Sequence, residues 1–246
     1  MSSTAYLEAV AEGLRKLQET QASAIEAAAQ VVTEAIAGDR KLFSFGATHS
    51  FILTEELVYR TGGLMLVNPI YPHGMNLSVR PMTLTSQVER VPGLGRLLLE
   101  NSPAAKGDVV LIASTSGRNA VAIDMALAAR ESGITTIAIT SMAYSEGVES
   151  RHPSGRKLHQ ICDHVLDNCA PLGDAAVAVP GFPQKVGPLS TVLGCAVVNA
   201  LAAQVVRNLV DGGLTPPVFV SANMPGGDEH NQTLLAENRH RIFYMD

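Results

Sequence analysis

Val-Val-Leu-Ile-Ala-Ser-Thr-Ser-Gly-Arg-Asn-Ala-Val-Ala-Ile-Asp-Met-Ala, residues 109 to 126, decides the fold. The β-branched apolar run Val109 to Ala113 stops at three hydroxyl residues and a glycine, Ser114 to Gly117. Apolar residues then resume at helical spacing from Ala120. That order is strand, turn, helix. A hydroxyl-rich turn that feeds a helix presents free backbone N–H groups and O–H donors to one point, and the helix dipole makes that point favour an anion. The turn lacks the Gly-Lys-Ser/Thr ending of a nucleotide P-loop and the G-x-G-x-x-G spacing of a dinucleotide site. A phosphorylated small molecule therefore fits it better than a nucleotide, and the bland alternative is an N-cap and nothing more.

The rest of the chain is consistent with a globular enzyme-sized protein. In 246 residues, 46% are hydrophobic and 17% charged, and Trp is absent. Such a chain can bury a large core and is not disordered over most of its length. The formal net charge of −5 argues against a nucleic-acid surface, since the basic spots at 151–157 and 239–241 are short and interrupted. The start, Met-Ser-Ser-Thr-Ala-Tyr-Leu-Glu, has no basic segment followed by an apolar core, which predicts a cytoplasmic protein. Val192 to Val206 is nearly apolar but carries Asn199 and Gln204; it is too short to span a bilayer and reads as a buried helix, so no membrane partner is expected. Cys162, Cys169 and Cys195 are odd in number and not in C-x-x-C spacing, which predicts buried structural thiols.

Along the chain, Leu7, Val10, Leu14, Leu17, Ile25, Ala28, Val32 and Ile36 recur at three-four spacing. They predict one long helix, or two broken near 18–23, capped by Ser3 or Thr4 and stopped at Gly38-Asp39. Lys41 to Gly46 reads as a strand, 47–50 as a turn and 51–61 as a helix, the same strand-turn-helix design as at 109–126. Further strands are expected at Leu64 to Val67, Thr135 to Thr140 and His164 to Asp167, with an edge strand at Ala175 to Val179. Residues 68–103 are proline-rich, a connection long enough to be functional. Ser145 to Lys157 reads as a mobile loop, Leu189 to Leu209 as a buried helix and Leu234 to Arg241 as a closing helix. Alternating strands and helices with β-branched strands predict an α/β fold, one domain over 1–246, with a mainly parallel five-stranded sheet flanked by helices in three doubly wound layers. Ligands of such sheets bind at strand carboxyl ends where the order reverses, so the turns at 47–50 and 114–119 face one pocket if their strands are neighbours.

That pair of turns resembles the SIS, or sugar isomerase, domain family. Gly46-Ala47-Thr48-His49-Ser50 is similar to the family's glycine-x-glycine-x-serine turn, with Ala or Thr where a second glycine is common. Ser114-Thr115-Ser116-Gly117-Arg118-Asn119 is similar to its Ser-x-Ser-Gly-x-Thr motif, with Asn119 in the Thr position. The resemblance covers nearly the whole chain and implies the SIS fold and a phosphosugar ligand. Residues 46–63, with Thr-Glu-Glu-Leu-Val-Tyr-Arg, and 221–231 resemble a stand-alone bacterial subgroup that includes N-acetylglucosamine-6-phosphate dehydratases, whose chemistry is shared with the N-acetylmuramic acid 6-phosphate etherases of the fold.

The resemblance implies that Ser50, Ser114, Thr115, Ser116 and Asn119 hold the phosphate, with Thr48 and backbone amides assisting. Neutral donors suffice, because hydrogen bonds to a charged group are worth about 1.5–3 kcal/mol each. Isomerisation and elimination both begin by removing the C2 proton beside an open-chain C1 aldehyde, which needs a carboxylate or imidazole base; elimination also needs an acid for the departing C3 hydroxyl. The candidates are Glu55, Glu56, His49 and His230, with Glu89 in the proline-rich connection a weaker one. Glu55 and Glu56 are successive on a helix, about 100° apart, so one is expected to point into the pocket. His230, in Gly-Gly-Asp-Glu-His-Asn, is either a surface residue or an acid supplied by a neighbouring subunit. The remaining histidines fit no metal spacing, and neither a metal nor a cofactor is expected. Asp124 reads as a surface residue. Three functions stay open: a lyase dehydrating an amino-sugar phosphate, an aldose–ketose isomerase of a sugar phosphate, and a non-catalytic phosphosugar sensor, against which stands a chain that opens on the domain's first helix with no room for a helix-turn-helix. Two long apolar helices imply a homodimer with sites near the subunit interface.

Overall fold

The structure, a computed structural model, describes residues 1–245. The N-terminal amphipathic pattern folds as two helices, α1 (Ser2–Thr20) and α2 (Ala22–Ala37), broken at Gln21. The break places the Gln21 side-chain oxygen 3.0 Å from the backbone N–H of Asp167, so it is tied to the sheet. Met1 stands at the N-cap and no side chain caps α1, which corrects the expectation for Ser3 and Thr4.

Next come β1 (Leu42–Gly46), α3 (Phe51–Leu57), β2 (Val67–Pro69), α4 (Thr83–Val88), α5 (Leu94–Glu100), β3 (Val109–Ala113), α6 (Ala120–Glu131), β4 (Thr135–Thr140), α7 (Met142–Glu146) and β5 (His164–Asp167). The five strands form one parallel sheet in the order β2-β1-β3-β4-β5. Strand side chains alternate between two cores. Leu42, Val109, Leu111, Ile137 and Ile139 face a layer that contains α2 and the C-terminal apolar helix, whereas Phe43, Phe45, Val110, Ile112 and Ala138 face α5 and α6. This is the expected three-layer α/β architecture.

Three expectations need correction. The predicted strand at Leu64 to Val67 is displaced to 67–69, because Leu64 and Met65 pair with the C-terminal tail: Leu64 bridges Val218 and the Met65 N–H donates to the Pro217 carbonyl at 2.8 Å. Ala175 to Val179 is not an edge of the main sheet. Its core, β6 (Ala175–Val177), pairs antiparallel with β7 (Val186–Pro188) in a separate two-stranded sheet. The loop at 145–157 is pinned at many points: the Lys157 ammonium donates to the Ser145 carbonyl at 2.6 Å, and the Arg151 N–H to the Arg118 carbonyl at 2.8 Å.

The C-terminal apolar run is longer than the sequence suggested. Helix α8 (Ser190–Asp211) has 22 residues and packs against α1, α2 and α3. By length and composition alone it is long enough to cross a bilayer, yet here it forms one layer of the domain, with 39% of its most apolar window buried in the single chain. Helix α9 (Gly227–Asn238) starts earlier than expected. The buried Asn68 anchors the tail that follows: its amide donates to the carbonyls of Leu42, Leu66 and Arg241, and its oxygen accepts the Phe243 N–H at 2.8 Å. None of the three cysteines is in a disulfide, and only Cys169 is buried as a residue, although burial pushes the Cys162 thiol up to about 12.

Candidate functional site

The sheet order reverses at β1, since the chain moves from β1 to β2 on one side and then crosses to β3 on the other. A crevice opens at such a point. Gly46 and Ala113 are register partners at the carboxyl ends of β1 and β3, so the two hydroxyl-bearing turns leave the sheet side by side.

Each turn is shaped by unusual backbone. At Gly46 a Cβ would collide with the Ser50 carbonyl, because the chain folds back over it into a short 3-10 turn, Thr48–Ser50, and then α3. Thr48 takes the left-handed conformation (φ 55°), a position where glycine is cheaper, and its N–H is held by the Met75 carbonyl at 2.9 Å. In the second turn Gly117 is left-handed (φ 58°), and an added Cβ would sit 3.0 Å from Ser145 Oγ and 3.1 Å from Thr140 Oγ1. Among the described residues the backbone N–H groups of Thr115, Ser116, Asn119 and Ala120, and the hydroxyls of Ser50, Ser114, Thr115 and Ser116, meet no protein hydrogen-bond partner. They form a donor set at the open end of α6.

The turns line a cleft of about 350 Å³, large enough for a small phosphorylated ligand. Ala47, Thr48, His49 and Ser50 form one wall, and Ser114, Thr115, Ser116 and Asn119 the next. The third wall holds Glu89, from the proline-rich connection. Its own carbonyl accepts the Val121 N–H at 3.2 Å, which fixes the segment to the first turn of α6. Burial raises the Glu89 carboxyl above the ordinary glutamate range; a hydrogen bond from Asn119 and the charges of Arg90 and Arg151 oppose this. The Asn119 oxygen accepts from an Arg151 guanidinium nitrogen at 3.0 Å, leaving its amide nitrogen for the cleft side.

Tyr144, Asp174 and Ser190 close the remaining side. Asp174 (φ 67°) caps the start of α8: one carboxylate oxygen accepts the N–H groups of Leu189 and Ser190, at 3.0 and 2.7 Å, and the other accepts the Ser190 hydroxyl at 2.7 Å. No local pattern in the sequence marks Asp174, because the helix it caps begins sixteen residues later.

All six residues expected at the phosphate, and His49, line this cleft; Glu55, Glu56 and His230 do not. Glu55 is exposed on α3. Glu56 turns away, accepting from the Asn199 amide at 2.8 Å and pairing with Arg60 at 3.0 Å. The expectation that the helix rotates one of them into the pocket is therefore not met within the single chain. His230 is exposed on α9, away from the cleft. Asp124, expected at the surface, is 9% exposed and engages Gly93 and His152.

A family model described as the SIS domain matches residues 5–141, more than half of the chain and both turns. The chain belongs to the SIS domain family. Within it, this SIS domain is 43% identical over 240 residues to a UPF0309 protein of Shouchella clausii, covering 98% of each chain. The fold recurs in a phosphoheptose isomerase from Francisella tularensis, with TM-score 0.56 and 13% identity, covering 83% of this SIS chain and 96% of that one. It recurs also in the Vibrio vulnificus NanR protein complexed with ManNAc-6P, with TM-score 0.51 and 14% identity, covering 94% of this chain and 66% of that one. At such identities the likeness establishes the shared fold.

Proposed function

We propose that the cleft binds an amino-sugar phosphate through Thr48, Ser50, Ser114, Thr115, Ser116 and Asn119, and that the protein is a lyase that dehydrates N-acetylglucosamine 6-phosphate. The observation that carries this reading is the half-buried Glu89 carboxylate on the wall of a cleft floored by a phosphate-type donor set. NanR, which shares the fold, was solved with ManNAc-6P, which supports an N-acylated sugar phosphate as the ligand class.

In this reading Glu89 takes the C2 proton of the open-chain aldehyde. The electron pair passes through an enolate and then expels the C3 hydroxyl, forming a C2–C3 double bond. A proton from His49, at the exposed rim of the same cleft, leaves with that hydroxyl as water. No redox partner is needed. A second reading is aldose–ketose isomerisation, favoured by Glu89 being the one carboxylate among the cleft-lining residues that is not committed to capping a helix, since a single shuttling base suffices for it. The Francisella tularensis relative of the fold is a phosphoheptose isomerase. A sensor without turnover is the third.

One assay separates them. The protein is incubated with a panel of phosphosugars while ultraviolet absorbance and product mass are followed. Loss of one water with a new chromophore is expected from N-acetylglucosamine 6-phosphate; an unchanged mass with a ketose product would make it an isomerase, and binding without turnover a sensor.

We also propose a homodimer. Helix α8 is incompletely covered, and Leu14 (42% exposed) joins Ile25, Ala196 and Val197 along an apolar groove between α1, α2 and α8. Light scattering after gel filtration is expected to give twice 25.9 kDa, and Leu14→Glu to shift the population toward single chains. A single-chain mass for the parent protein at micromolar concentration would overturn the dimer.

A further inference from the structure

Asp124 and His152 form a nearly buried pair that the phosphate-binding and proton-transfer roles leave unused. Asp124 Oδ1 lies 2.9 Å from His152 Nε2, with side-chain exposures of 11% and 10%. The other carboxylate oxygen accepts the Gly93 N–H at 2.6 Å. On the far side of the imidazole, Nδ1 lies 2.7 Å from the Ser154 hydroxyl and accepts the Ser154 N–H at 3.1 Å. An N–H aimed at Nδ1 requires a lone pair there, which puts the ring proton on Nε2, where it donates to Asp124.

The three segments joined here are those that build the cleft. Gly93 is four residues after Glu89, whose carbonyl already holds Val121 one helical turn before Asp124. The segment of His152 supports the second turn residue by residue: Leu158 N–H donates to the Gly117 carbonyl at 2.9 Å, Arg151 N–H to the Arg118 carbonyl at 2.8 Å, and the Arg151 guanidinium to Asn119. The carboxylate of Asp124 is thus the point where the segment bearing the acidic cleft residue and the loop bracing the phosphate turn meet on one helix.

We propose that Asp124 and His152 are positioning residues: the Nε2–H tautomer of His152, fixed by Ser154, and the Gly93 amide together hold Asp124 so that Glu89 is set against the second phosphate turn. The proposal rests on the reading of Glu89 as the base, but the geometry it asserts is measurable without turnover. Asp124→Asn can keep the Gly93 bond through its oxygen, yet it then offers an amide N–H to an imidazole N–H. The ring must turn or change tautomer against Ser154, or the amide must flip and give up the Gly93 N–H; in either case the 89–93 segment is held less firmly.

The test follows the Glu89 carboxyl by carbon NMR in protein labelled at glutamate, assigned with Glu89→Gln, and the His152 tautomer by nitrogen shifts. Arg90 and Arg151 are the charged groups facing Glu89 and stay in every variant. In Asp124→Asn and His152→Ala the Glu89 titration is expected to move toward the ordinary glutamate range, with His152→Gln, which restores an N–H donor to Asp124, recovering most of the parent value. Inorganic phosphate binding by calorimetry is expected to change less than about threefold in all three, with far-ultraviolet dichroism unchanged. A Glu89 titration identical to the parent in both Asp124→Asn and His152→Ala overturns the brace. So does loss of folded dichroism in His152→Gln, which would make the pair a stability element. Should Glu89→Gln retain full turnover while the titrations move as expected, the brace stands and the assignment of Glu89 as base fails.

Discussion

Glu89→Gln is expected to lower turnover of the substrate by about 10²–10⁴-fold, the usual contribution of a general base, with substrate affinity changed only a few-fold. The amide keeps the size of the side chain and a carbonyl oxygen for Asn119, but it cannot accept the C2 proton. Exchange of that proton for solvent deuterium, read by mass, is expected to stop with turnover. The pH profile carries the same signature. Burial raises the Glu89 carboxyl, so the base form appears only above the ordinary glutamate range, and kcat/KM is expected to rise with pH through that raised value. Residual activity of the variant is expected to lack this acid limb. The sign for stability is opposite: a folded-state value above the unfolded one means that ionising Glu89 opposes folding, so its contribution is intact at low pH and lost as pH rises. Glu89→Gln is therefore expected to unfold at no lower denaturant concentration than the parent at neutral pH. Retention of turnover within about threefold would sink Glu89 as base and return attention to Glu55, Glu56 or His230 from a second subunit.

Ser116→Asp is expected to remove phosphosugar binding. A carboxylate about 4 Å from a phosphate repels it by about 4 kcal/mol per unit charge at a surface-like dielectric, about 10³-fold in affinity before the second phosphate charge is counted. Ser116 is half-buried and its hydroxyl holds no protein partner, so circular dichroism and the unfolding midpoint are expected to stay near the parent values. Calorimetry with N-acetylglucosamine 6-phosphate and with inorganic phosphate measures the loss. A titration curve superimposable on the parent's would show that the phosphate lies elsewhere.

The contrast between these two positions explains what could be read before the structure. Ser116 belongs to a signal complete within eighteen residues: a β-branched run, a hydroxyl turn with glycine, and a return to helical spacing. The likeness of the turns after β1 and β3 was also legible, but that the two strands are neighbours, in the register that pairs Gly46 with Ala113, stayed a condition that the structure meets. Glu89 carries no such local mark. Its place on the cleft wall depends on backbone bonds to Val121 and, through Gly93, to Asp124, groups more than thirty residues away. Glu55 and Glu56 illustrate the converse: helical spacing correctly separates their directions, but Arg60, Asn199 and the rotation of α3 on α8 decide what each direction meets. The hairpin of β6 and β7 escaped for a similar reason, because a three-residue strand declares itself only when its partner is known.

Of the helix N-termini that face the cleft, that of α6 is free to receive an anion and that of α8 is not. The start of α8 is already occupied by the Asp174 carboxylate, which takes both leading N–H groups and the Ser190 hydroxyl. The cleft therefore has a direction: attractive to a dianion at the turns, repellent to one at the opposite end. A sugar phosphate bound backwards would face that carboxylate, and a sugar phosphorylated at both ends would meet it in either orientation. On the proposed reading, bisphosphates are expected to bind more weakly than monophosphates without any steric block, because the carboxylate that caps α8 also lines the cleft.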